Sequence, residues 1–166
     1  MKKIVSNLLI FVTVAAVFVI LLLSLGTDEG ACYVYKGNQT YTPVTVKPGQ
    51  YQCSECNMDV EDTHYMAELI ATNGDTYFFD DIGCMVLWLK NHHLEIHKVF
   101  TQTLDTNRWI EAKNAWYTRT AASPMGYGFG AYENQQSELI SYEDMKLLML
   151  QGKHLHDSFV KKSLLQ

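Results

Sequence analysis

Residues 65–89, Tyr65-Met66-Ala67-Glu68-Leu69-Ile70-Ala71-Thr72-Asn73-Gly74-Asp75-Thr76-Tyr77-Phe78-Phe79-Asp80-Asp81-Ile82-Gly83-Cys84-Met85-Val86-Leu87-Trp88-Leu89, read as strand, hairpin, strand and helix. Tyr65–Ile70 alternates loosely. Asn73-Gly74-Asp75 is a hairpin signal, because asparagine and glycine tolerate positive φ. Thr76–Phe79 is rich in β-formers and returns the chain. Asp80 or Asp81 then caps a helix whose Ile82, Met85, Val86 and Leu89 fall on one face, ending near Asn91.

The second half offers the same order. Ala115–Arg119 is a β-rich run, Gly126–Tyr132 a glycine-laden strand, Gln135–Ser137 a turn and Glu138–Ile140 a short return strand. Ser141 caps a helix over Tyr142–Gln151, with Glu143 and Asp144 complementing the dipole of its first turn. One such unit buries too little surface to stand alone. The expected fold class is therefore α+β: two small related ββα-type modules packed together, about 51–93 and 109–152, within a domain over 51–152. Residues 27–50, with Gly30, Gly37, Pro43, Pro48 and Gly49, read as a stalk carrying a short strand near Tyr41–Val46. Residues 153–166 read as a polar tail.

The chemistry concentrates in Cys53-Ser54-Glu55-Cys56-Asn57-Met58. Two thiolates and a thioether within six residues form a soft-donor set of the kind that selects copper(I). Structural zinc normally asks for two more ligands at comparable spacing, and no second Cys-x-x-Cys follows. Haem attachment needs His after the second Cys, where Asn57 stands. Iron–sulfur clusters want four cysteines together. A dithiol redox pair remains the rival. The expected metal ligands are Cys53, Cys56, Met58, Met125 and His64, with copper(I) as the bound ion. Cys56 and Met58 share a side of an extended segment. Met125 lies in a Ser-Pro-Met-Gly loop, and His64 follows the motif closely enough to lend an imidazole. Cys84 is expected in the core, and Asp80 and Asp81 at the helix cap. His92, His93 and His97 are expected to be structural, and His154 and His156 at most weak scavengers of metal.

Residues 1–26 are expected to be an N-terminal membrane anchor or signal segment, a retained anchor before simple secretion. Lys2 and Lys3 precede an apolar run, Leu8–Leu25, close to the ~20 residues that span a bilayer and longer than a signal-peptide core. The lysines put the N-terminus in the cytoplasm and the remaining chain on the extracytoplasmic, periplasmic side. A lipoprotein anchor at Cys32 is the alternative, although Glu29 stands where its lipid box wants an aliphatic residue. The net charge of −5 and dispersed lysines give no basic face, which excludes nucleic acid as a partner.

Cys56-Asn57-Met58, Phe79-Asp80-Asp81-Ile82-Gly83-Cys84-Met85, Trp109–Tyr117 and Met125-Gly126, in that order, resemble the NosL family. The resemblance runs from about Tyr51 to Leu150. It implies two ββα-type modules in a membrane-attached, extracytoplasmic copper(I) chaperone whose client is nitrous oxide reductase. Cys53 and the poor lipid box depart from the family's pattern. Three functions follow: a non-enzymatic copper(I) chaperone, a periplasmic thiol-disulfide oxidoreductase using Cys53 and Cys56, and an interaction module with a structural disulfide.

Overall fold

The computed structural model describes residues 2–25 and 32–165 in two units, one up to Gly30 and one from Ala31 onward. The first unit is a single helix, α1 (Lys2–Leu25). Its side chains are described over residues 10–21, and all of them are exposed. Among the described residues no helix is long and apolar enough to cross a membrane. Gly26, at the end of the expected anchor, lies outside the described residues.

The second unit is built on a five-stranded antiparallel sheet ordered β1-β3-β2-β4-β5. Its strands are β1 (Val34–Tyr35), β2 (Ala67–Ala71), β3 (Thr76–Phe79), β4 (Ile96–Gln102) and β5 (Trp109–Glu111). The β2–β3 hairpin forms as its turn residues predict, with Gly74 at φ +83°. Opposed residues share a face. Ala67, Leu69, Tyr77 and Phe79 therefore point one way, and Glu68, Ile70, Thr76 and Phe78 the other.

Helix α2 (Ile82–Asn91) covers the first face, where Trp88 packs on Tyr77 and Phe79. Its buried surface exceeds the expected stripe, since Gly83, Cys84 and Trp88 are buried as well as Ile82, Met85 and Val86. A helix buried nearly all round lies between two layers. Here the second layer is α3 (Tyr142–Leu150), with Met145 and Met149 buried.

The second face is covered by the segment expected to be a stalk. β1 pairs with β3, Asn38 Nδ2 donates to Thr76 Oγ1 at 3.1 Å, and Tyr51 stacks on Phe78 at 3.8 Å. No strand forms at 41–46. The Val44 N–H instead donates to the Glu68 carboxylate at 2.9 Å, because a side chain rather than a neighbouring strand faces it.

The second module departs from the expected order. β6 (Trp116–Thr118) pairs with β7 (Gly130–Tyr132), but Ile140 bridges to Tyr117 instead of returning along β7. Gly126 (φ +67°) and Gly128 (φ +93°) keep residues 126–129 out of the ladder. The expected long strand from 126 shortens accordingly. The tail is also not bare, since Ser158–Leu164 forms α4, capped by Asp157 through the N–H groups of Phe159 and Val160.

Gly128 is where the tail meets the module. A Cβ there would lie 2.6 Å from both the Arg119 carbonyl and Leu155 Cγ, on a backbone that side chains rarely adopt. Gly128→Ala is expected to destabilise the fold by about 2 kcal/mol or more, since backbone cannot yield as a side-chain tip can. Urea unfolding checks this, and an unchanged midpoint would contradict the packing described.

Candidate metal centre

The Cys53–Met58 segment is the tip of a tight hairpin over residues 51–60. Val60 N–H bonds to Tyr51 O at 2.9 Å and Cys53 N–H to Met58 O at 2.8 Å. Asn57 N–H returns to Cys53 O at 2.9 Å, and Asn57 takes φ +61°, a conformation asparagine tolerates better than most residues. This turn aims backbone donors at sulfur: Cys56 N–H at the Cys53 sulfur and Met58 N–H at the Cys56 sulfur. Such donors favour the thiolate form that a metal requires. Ser54 N–H bonds to Phe78 O at 2.8 Å and docks the tip against the end of β3.

Two further donors come from the β3–α2 junction. Asp81, not Asp80, caps α2, its Oδ1 accepting the Gly83 N–H at 2.8 Å. Asp80 is thereby left to face the hairpin, where both its oxygens lie 3.7 Å from Cys56 Sγ. Cys84 sits in the first turn of α2. The ligand atoms of Cys53, Cys56, Asp80 and Cys84 all lie within 4.8 Å of one another. Four donors at about 2.3 Å from one ion stand about 3.8 Å apart, so closing this set on a metal needs shifts of about 1 Å.

The thiols differ in their hold on protons. Cys84 donates to the Cys53 sulfur, which lowers the Cys53 pKa and, together with burial, raises that of Cys84 well beyond its ordinary value. Burial pushes Cys56 up to about 12, with the charges of Cys53 and Asp80 adding and the Met58 N–H opposing. Cys53 therefore ionises first. Cys53 and Cys84 are fully buried, whereas Cys56 is only partly so and forms the open edge.

The expected ligands fare unequally. Cys53 and Cys56 come together as part of the cluster. Cys84 belongs to the core, as expected, and also to the cluster, a double role that an apolar helix pattern conceals. Asp80 was expected to serve capping alone and does not. His64 stands apart: its ring is exposed and its Nδ1 pairs with Asp62 Oδ1 at 2.8 Å. Met58 is 45% exposed, while Met125 packs partly buried against the core. Met125 N–H and Ser123 both draw down the pKa of Asp81, although neither hydrogen-bonds its Oδ2. Burial still prevails there, raising Asp81 to about 6. The signal for the two further cluster members was a third cysteine in the first turn of a helix that opens on two aspartates.

These features define a mixed α+β domain with a sulfur-rich candidate metal centre of three cysteines and one aspartate. No family model and no curated protein matches the chain. A solved structure, the copper chaperone NosL from Shewanella denitrificans, is similar to it at 16% identity and a TM-score of 0.46, covering 66% of this chain and 87% of that one.

Proposed function

We propose that this protein binds copper(I) at the Cys53/Cys56/Cys84 sulfurs and passes it to a copper enzyme outside the cytoplasm, nitrous oxide reductase by the resemblance of its motifs. The observation carrying the reading is the convergence of three thiols and Asp80 within 4.8 Å. Three sulfurs suit a soft monovalent ion. Asp80, a hard donor, then serves as acceptor for the Cys56 S–H until the metal displaces that proton. The partly exposed Cys56 is the route by which the ion arrives and leaves. Attachment to a membrane is part of the proposal. It is supported by the exposed apolar side chains of α1, Phe11, Phe18 and Ile20 among them, which water solvates poorly.

The oxidoreductase alternative is disfavoured by the same chemistry. All four cysteines are free thiols. A nucleophilic cysteine must be accessible and a thiolate near neutral pH. Cys53 is enclosed and Cys56 is held at about 12.

One observation favours a second reading, a structural zinc(II) site, because Asp80 completes a four-donor set. The two ligands that zinc lacks near the motif in sequence arrive from the β3–α2 junction. Competition of the reduced full chain against a copper(I) chelator and a zinc indicator decides between them. Under the proposed function copper(I) is retained at chelator strengths that strip zinc completely. Equal or stronger retention of zinc would make the site structural.

A further inference from the structure

We propose that His154 and His156 form a second metal site, an imidazole pair that holds a copper ion exchangeably beside the thiol cluster. The choice of copper as its ion rests on the proposed function.

The pair lies on a fixed surface. Leu155 N–H bonds to Tyr127 O at 3.0 Å, and Gly128 makes room for the Leu155 side chain. His156 Nε2 bonds to the Met125 carbonyl at 2.6 Å. Both imidazoles lean on Tyr127, at 4.9 Å for His154 and 4.8 Å for His156, and their own centroids are 5.2 Å apart. Tyr127 in turn belongs to the thiol cluster's surroundings: it would collide with a Cβ at Gly83, and Cys84 and Cys56 both act on its hydroxyl electrostatically. One ring thus touches the histidine pair and borders the sulfur site.

Each ring has one nitrogen with a lone pair to offer. A carbonyl can only accept, so His156 Nε2 carries the proton and its Nδ1 keeps the lone pair. His154 Nδ1 accepts the His156 backbone N–H at 3.4 Å, a long bond that a metal readily displaces. Imidazole suits copper, and two donors hold an ion without enclosing it. His156 is exposed to solvent, whereas Cys53 and Cys84 are not, so the pair is open to an incoming ion alongside the partly exposed Cys56.

Copper(I) titration of the reduced, detergent-solubilised full chain against a competing chelator tests this. The wild type is expected to take two ions, the tighter one bringing thiolate-to-copper absorption and the weaker one adding none. His154→Gln/His156→Gln should take one ion with that absorption unchanged, circular dichroism confirming the fold. A wild type that takes one ion, or a double variant that still takes two, would overturn the second site. If instead the tighter ion brings no thiolate absorption, the sulfur site fails while the histidine result stands on its own.

Discussion

Cys84→Ser is expected to weaken copper(I) binding by on the order of a hundredfold or more. Removing a partner that only orients a ligand typically costs 10–100-fold, and loss of a ligand should exceed that range. From its sequence surroundings alone Cys84 is core, and its replacement would leave binding nearly intact. The structure keeps it in the core and gives it a second place, because its sulfur shares one cluster with Cys53, Cys56 and Asp80. Serine keeps the size and can still donate to the Cys53 sulfur, so the fold should lose little. Cys56→Ser should act as strongly, since Cys56 supplies the open edge of the cluster. Cys32→Ser is the control: Cys32 is exposed and outside the cluster, and its loss should leave affinity unchanged. Chelator competition with circular dichroism in parallel reads all three. Full-strength binding by a folded Cys84→Ser would reduce the site to the hairpin alone.

What was readable in the sequence is what local rules govern. The β2–β3 hairpin and both helix caps follow from turn residues, β-formers and side-chain oxygens placed just before apolar runs. β4 escaped, although it lies between β2 and β5, because its first residues are exposed and carry His97 and Lys98. Half-exposed strands show no clean alternation. The lead-in escaped for another reason: its contacts with β3 and Glu68 join residues tens of positions apart, which composition cannot signal. The same limit applied to the site. Cys53 and Cys56 announce themselves by spacing. Cys84 and Asp80 join them only once β3 and α2 are folded against the hairpin. His64 shows the converse, being near in sequence but turned to solvent by its pairing with Asp62.

Glu68→Gln is expected to stabilise the protein at alkaline pH, by on the order of 5 kcal/mol above about pH 8. Glu68 is fully buried in β2, between β3 and β4. One carboxyl oxygen accepts the Val44 N–H and the other has no partner among the described residues. Burial raises its pKa from 4.5 to about 8, against the smaller opposing effect of the Val44 bond. Below about pH 4.5 the carboxyl is protonated whether the chain is folded or not, and it costs nothing. Between about 4.5 and 8 only the unfolded chain releases the proton, so folding loses about 1.4 kcal/mol per pH unit. Above about 8 the folded state carries a buried carboxylate, and the whole cost stands. Glutamine does not titrate, and its oxygen can still accept from Val44. Asp81, raised from 3.8 to about 6, produces a similar loss in a lower window. It does so in wild type and variant alike, so their difference isolates Glu68. The measurement is urea unfolding of both proteins across pH. Parallel curves through that window would mean that Glu68 is solvated in solution, and that the lead-in lifts off the sheet at Val44.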